Sequence, residues 1–190
     1  MSENMQKGKE GTEDRLPNLR RVVTGHDANG RSVVMIDAPC VFHQNIGGGG
    51  WNVQDIWESA VVPVPLDAQE PDPTAGPVHF GIPTTGIRVR VSDIPPTKPG
   101  TEPFMHRTNS IDYLHVLEGE ITMLLDDSEH EVTLRKGDTI VQRATNHAWV
   151  NHTNQHCRVL VIMIAGRVSE ALEKTIGPIP PWDPKGRGVR

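Results

Sequence analysis

The sequence predicts an all-β fold of short antiparallel strands, a sandwich or barrel, and three observations carry that expectation. Glycine and proline supply 18 and 16 of the 190 residues, a density of turn formers that argues against a helical bundle. They are unevenly spread: from Phe104 to Ala165 there are only Gly119 and Gly137, and no proline. Within that stretch, short apolar-rich runs recur with turn signals every ~8–12 residues, the spacing of an all-β sandwich or barrel.

Taken in order, residues 1–15 are charged and apolar-poor, a composition expected to be disordered. Residues 19–23 and 32–36 read as short strands around the turn-rich His26-Asp27-Ala28-Asn29-Gly30. The Gly47-Gly48-Gly49-Gly50 run reads as a loop, because a phosphate cradle needs a following Lys-Ser/Thr and a helix start. Residues 56–64 read as a strand, and 67–83, with four prolines, as a loop or crossing arm. Ile87-Arg88-Val89-Arg90-Val91 alternates apolar and basic residues, the pattern of a strand with one buried face. Strands are then expected over 111–117, 120–125, 131–134, 139–142, 147–151 and 158–165. Glu118-Gly119, Asp126-Asp127-Ser128-Glu129 and Lys136-Gly137-Asp138 mark turns between them. The run from Val159 to Ile164 is apolar on both parities, so it should be covered on both faces, by a helix or by a second subunit. Residues 167–175 read as a short helix stopped by Gly177-Pro178, and the rest of the chain as an irregular tail. The expected organisation is a disordered 1–15, arm strands over 16–85, a barrel over 86–166, and a helix with tail over 167–190.

Composition excludes several function classes. The chain is 36% hydrophobic and 23% charged, which is a globular profile. Nineteen basic against 24 acidic residues give a net charge of −5, and no Lys/Arg block supports a nucleic-acid surface. No apolar run approaches the ~20 residues of a membrane span, and the polar first residues lack a signal peptide's apolar stretch. Cys40 and Cys157 form no C-x-x-C pattern, so reduced thiols and a cytoplasmic location are expected. The sequence holds no G-x-S-x-G, S-x-x-K or H-E-x-x-H, which removes the serine-hydrolase and zincin readings.

The chemistry-bearing segments are PGTEPFMHRTNSIDYLHVLEGE and KGDTIVQRATNHAWVN. Residues of equal parity on a strand share a face. His106, Thr108 and Asp112 therefore fall on one face, and His147, Trp149 and Asn151 on another. Facing each other inside a barrel, they would set two imidazoles and a carboxylate around one point. Two His plus one carboxylate leave open coordination positions and suit Fe2+, with Mn2+, Ni2+ or Zn2+ as other choices. Thr108, Gln142 and Trp149 would then line a substrate pocket, although plain barrel core is the favoured reading for Trp149.

The spacing of these residues resembles the cupin superfamily, specifically small cupins of the cupin-2 type. The family's first motif, G-x5-H-x-H-x3-4-E-x6-G, is matched by Gly100, His106 and Gly119. Thr108 stands in place of its second His and Asp112 in place of its Glu. The second, roughly G-x5-P-x-G-x2-H-x3-N, is matched by Gly137, His147 and Asn151 with one residue fewer in the middle. The resemblance covers residues 86–165. It implies a double-stranded β-helix (the jelly-roll cupin barrel), here with N-terminal arm strands and a short C-terminal helix. It also implies a divalent metal held by three His and one Glu in ordinary members, and frequent homodimers. With Thr108 and Asp112 substituted, the set His106, Asp112, His147 is either a three-ligand metal site or a degenerate one.

Two further residues are candidates for catalysis. Parity turns His115 away from Leu114 and Val116, to the exterior or an interface, unless a bulge brings it inward as an acid–base group. Arg143 offers a bidentate fork to a substrate carboxylate or phenolate, or pairs with an acid such as Asp138. The expected function is a metal-dependent enzyme acting on a small organic molecule. An oxygenase is favoured over a lyase, isomerase, decarboxylase or cyclase, and the alternative is a non-catalytic ligand-binding cupin. The expected partners are a small-molecule substrate and a second copy of the chain.

Overall fold

The computed structural model describes residues 16–46, 50–67, 70–76 and 84–179. The expectations for residues 1–15, 47–49, 77–83 and the tail from 180 onward lie outside the described residues. Eleven strands are present among those described: β1 Arg20–His26, β2 Ser32–Pro39, β3 Phe42–Ile46, β4 Trp51–Ser59, β5 Ile87–Ile94, β6 Ser110–Glu118, β7 Glu120–Leu125, β8 Val132–Arg135, β9 Thr139–Arg143, β10 His147–Val150 and β11 Cys157–Ala165. Among the described residues a single α-helix, α1, spans Glu170–Ile176, and one 3-10 turn spans Ser128–His130. Ser169 caps its start by accepting from the Leu172 amide at 3.3 Å, and Gly177, at φ 75°, ends it. None of the described helices is long and apolar enough to cross a membrane.

The strands form three antiparallel sheets: a β1–β2 hairpin, a β10–β7–β8 sheet, and a six-stranded sheet in the order β3–β4–β5–β11–β6–β9. The two larger sheets enclose the core. Ile94, Leu114, Val116, Cys157 and Val159 from the large sheet meet Ile121 and Leu134 from the small one, and Trp51, Ile140, Trp149 and Val161 pack around them. Val116 and Ile121 are at most 1% exposed, and side chains of that size each stabilise by about 1.5–3 kcal/mol when fully buried. Gly119 makes the tight β6–β7 turn at φ 79°, with its α-carbon hydrogen side only 2.8 Å, in Cβ terms, from the His156 carbonyl oxygen. A side chain there would collide with backbone.

The register sorts the inner face of the large sheet into layers. One reads Val53, Ser92, Val159, Val116 across β4, β5, β11 and β6 and is almost wholly apolar. The next reads Asp55, Arg90, Val161, Leu114, Ile140, continuing onto β9. A third reads Glu58, Arg88, Met163, Asp112, Gln142. The barrel interior thus grades from an apolar floor to a polar upper layer. A bulge between Asp55 and Trp57 keeps both β4 acids on this inner face.

Several sequence expectations shift. The strand expected over 56–64 is β4, which runs from Trp51 to Ser59: its polar start, Asn52, Gln54 and Asp55, is buried and paired, so hydropathy alone did not mark it. Strand β3 had no sequence signal. Strand β5 does alternate, but Arg88 and Arg90 point inward, 2% and 8% exposed. Each is neutralised by an acid on β4: Arg90 donates to both Asp55 oxygens at 2.7 and 3.1 Å, and Arg88 pairs with Glu58. On β11, Leu160, Ile162 and Ile164 remain half-buried on the outer face. Helix α1 buries none of its residues and does not supply the second cover.

Candidate functional site

Two backbone hydrogen bonds build the centre of the site. The His106 amide donates to the His147 carbonyl at 2.9 Å and the His147 amide donates back to the His106 carbonyl at 3.0 Å. The pair is an isolated antiparallel bridge, so both side chains leave on one side. Their ring centroids lie 4.2 Å apart at 49°. Phe104 stacks on His106 at 5.1 Å, and Trp149 meets His147 edge-on at 5.7 Å.

Both imidazoles are held in one tautomer. Nδ1 of His106 lies 3.1 Å from the Phe104 carbonyl, and Nδ1 of His147 lies 3.0 Å from the Thr145 carbonyl. A carbonyl only accepts, so each Nδ1 donates and each Nε2 is the accepting nitrogen of its ring, the one at His147 lying 3.1 Å from the Gln142 amide nitrogen. Burial pushes both pKa values down, with the mutual repulsion of the two rings adding to the effect at His147, which falls to about 3. Both rings are therefore neutral at pH 7. The Gln142 side-chain amide lies against His147, 2.7 and 3.1 Å from its two ring nitrogens.

Asp112 faces the same cavity from β6, directly across from Gln142 on β9. Thr108 donates to its Oδ2 at 3.4 Å, and Ser110 donates to Thr108 at 2.9 Å. Its Oδ1 is buried without a hydrogen-bond partner. Burial pushes the Asp112 carboxyl pKa up, against the lowering by the Ser110 and Thr108 hydroxyls. Among the described residues no three His, Cys, Asp or Glu side chains gather closely enough to enclose a metal ion. The structure brings His106 and His147 together, while Asp112 sits on β6 of the other sheet, joined to them through its register partner Gln142.

Two lone-pair nitrogens and an orphaned carboxylate oxygen nevertheless match the donor chemistry of a divalent cation. Thr108, Gln142 and Trp149 all lie beside these groups, Trp149 also packing on the core. His115 and Arg143 do not reach the cavity. No bulge interrupts β6 between Ile111 and His115, so parity holds, and His115 bonds Thr139 Oγ1 on the outer face at 2.8 Å. Arg143 is exposed, one residue out of phase with the buried Gln142. Both leave the candidate catalytic set. Sequence reasoning missed Arg88, Glu58 and Met163, which share the layer of Asp112 and Gln142. The available signal was the basic pair at i and i+2 on a strand whose alternate residues are apolar too.

The loop that delivers His147 carries local strain. Ala144 adopts φ 51°, the region that favours glycine. Ala144→Gly is expected to raise stability by about 0.5–1 kcal/mol, the relieved strain exceeding glycine's extra chain entropy. A thermal melt with a lower midpoint than the parent would contradict this.

Comparison with known proteins agrees with the geometry. The Cupin_2 family model, described as a cupin domain, matches residues 90–163. Phomopsin biosynthesis cluster protein C' of Diaporthe leptostromiformis is 34% identical over 177 residues, 90% of this chain and 90% of its own length. Cupin-domain-containing oxidoreductase virC of Hypocrea virens is 35% identical over 148 residues, 72% of this chain and 71% of its own. Among solved structures, a putative ethanolamine utilization protein q from Salmonella typhimurium superposes with TM-score 0.43 at 10% identity, covering 80% of this chain and 99% of that one. On sequence, therefore, with an all-β fold of antiparallel sheets and one short helix, the chain belongs to the cupin superfamily as a small cupin of the cupin-2 type.

Proposed function

We propose that this cupin is a metal-dependent oxidoreductase acting on a small organic molecule within the barrel. His106, His147 and Asp112 would hold the metal. The observation that carries this reading is the pair of adjacent imidazoles, each pinned at Nδ1 by a backbone carbonyl so that Nε2 is the nitrogen with the lone pair a metal would take. Carbonyl-anchored histidine is the usual preparation of a metal ligand. A divalent metal, Fe2+ before Mn2+, Ni2+ or Zn2+, would supply an open coordination position for O2 or for a substrate oxygen.

The chain's own residues do the rest. The Gln142 amide fixes the His147 ring and reaches into the space that a substrate would occupy. Thr108 and Ser110 hold one oxygen of Asp112, so that Oδ1 alone stays available. Phe104 and Trp149 wall the two imidazoles. The oxidoreductase class is favoured because relatives of comparable length carry that name, among them virC. The remaining alternative is a ligand-binding cupin without turnover.

Protein purified without chelators is expected to carry close to one metal per chain, and His106→Ala and His147→Ala to lower that content at least about tenfold. Substoichiometric metal that neither substitution changes would sink the reading. A second copy of the chain is the proposed partner, covering the outer face of Leu160, Ile162 and Ile164 beside the exposed Tyr113 and Val141. Light scattering is expected to give twice the 21.0 kDa chain mass, and a monomer mass would refute it.

A further inference from the structure

We infer that the substrate carries a carboxylate and that Arg88 receives it, an inference that rests on the substrate site lying beside His106 and His147. Two buried guanidinium groups inside a small barrel are otherwise hard to account for. Replacing a buried ion pair by packed apolar side chains is commonly neutral or stabilising. The layer beneath does without charge, through Val53, Ser92, Val159 and Val116. On the inner face, the charged residues of the layers described fall in the two nearer the histidines.

Arg88 lies in the layer of the site itself. Across the sheet the register runs Gln142, Asp112, Met163, Arg88, Glu58. Only β11 separates Arg88 from Asp112, so their backbones are about 10 Å apart at the usual strand spacing, with both side chains on the inner face. A small acid spanning that gap would place its carboxylate at Arg88 and its reacting end toward the imidazoles. Met163, the residue between, would contact the intervening apolar portion.

The guanidinium already binds this chemistry. Glu58 accepts from Arg88 Nε at 2.8 Å and from Nη2, both through the single oxygen Oε2. Its side chain is 26% exposed against 3% for Arg88, so Glu58 stands on the solvent side of the pair. It acts as the resident carboxylate that an incoming one must share or displace. Arg90 lies one layer deeper and is committed to both oxygens of Asp55. Arg88 is the better placed of the two by position, since it shares the layer of Asp112, and the fork of a guanidinium recognises a carboxylate bidentately.

The test uses 3-phenylpropionate and its uncharged amide as probes, titrated calorimetrically into the full chain before and after EDTA. The parent is expected to prefer the carboxylate at least about tenfold, the range of a hydrogen-bonded charge. Arg88→Met should abolish that preference, whereas the exposed Arg143→Met should leave it intact. Glu58→Gln, which keeps the shape of the pair and removes the competing charge, should tighten carboxylate binding several-fold. It decides the matter should Arg88→Met not fold. Equal binding of the two probes, no binding of either by the parent, or no tightening in Glu58→Gln overturns the inference. Metal content measured on the same samples separates the two proposals. A carboxylate preference that survives in a metal-free protein leaves this one standing when the metal reading fails, and the reverse result removes this one alone.

Discussion

Asp93→Ala is expected to lower folding stability by about 3–5 kcal/mol, a large part of the roughly 5–15 kcal/mol available to a domain. Asp93 on β5 and Arg158 on β11 are register partners, with side chains only 1% and 7% exposed. Arg158 donates Nε to Oδ1 at 2.6 Å and Nη2 to Oδ2 at 2.8 Å, and Nη2 also reaches the Pro17 carbonyl at 2.8 Å. The pair thus joins two central strands to the segment entering β1. Removing the acid strands a buried guanidinium, and that uncompensated charge dominates the loss. The double variant Asp93→Leu, Arg158→Met should recover most of it, because it removes both charges and keeps the volume. Urea denaturation of the two single variants, the double variant and the parent forms the check. Additive losses would show that the pair is not coupled.

Acid should destabilise the metal-free protein through His147. Its folded pKa is about 3 against 6.5 for the free side chain, chiefly because the ring is buried and secondarily because His106 faces it. The unfolded chain therefore binds this proton first as the pH falls. Stability is full above 6.5 and declines through the window down to about 3, by about 1.4 kcal/mol per pH unit once below 6.5. His106, lowered by burial, acts in the same direction. Asp112 acts in the opposite one: its raised folded pKa means that the native carboxyl takes up a proton before the unfolded one does, so it returns some stability as the pH approaches 3.8. Between pH 6.5 and 4.5 the histidines prevail, with an expected loss of about 2–3 kcal/mol. His147→Gln cannot protonate and should flatten the slope by about one proton. Chemical denaturation at pH 7, 6, 5 and 4.5 reads this directly, and identical slopes for variant and parent would refute it.

The strands from β5 to β11 were legible because their limits are written locally. Glu118-Gly119 and Lys136-Gly137-Asp138 turn the chain whatever packs above them, and the apolar runs between them have strand length. His106 is on no strand: it meets His147 through an isolated bridge, and residues 107–109 between it and β6 are not strand, so strand parity does not explain their meeting. Other features depend on residues far away in sequence. Arg88 and Arg90 turn inward only because Glu58 and Asp55, 30 and 35 residues earlier, wait across β4. Single-strand alternation cannot distinguish which of its faces has such partners. The polar start of β4 was hidden for the same reason: Gln54 is fully buried and accepts from the Leu19 amide at 2.8 Å, a bond made by a distant segment. For His115 parity alone gave the right direction, and the attraction of its chemistry pulled against it; Arg143 was read by its chemistry without regard to parity.

The strand order has a consequence for how the protein comes into being. The last of the described strands, β11, lies between β5 and β6, whose facing edges both pair with it. A ribosome delivers β6 some 40 residues before Cys157, a delay of a few seconds at ~5–20 residues per second. Throughout that interval both strands present unpaired amides and carbonyls, together with the buried-to-be Val91, Leu114 and Val116. The central seam of the large sheet therefore cannot close before β11 is present to join β5 to β6.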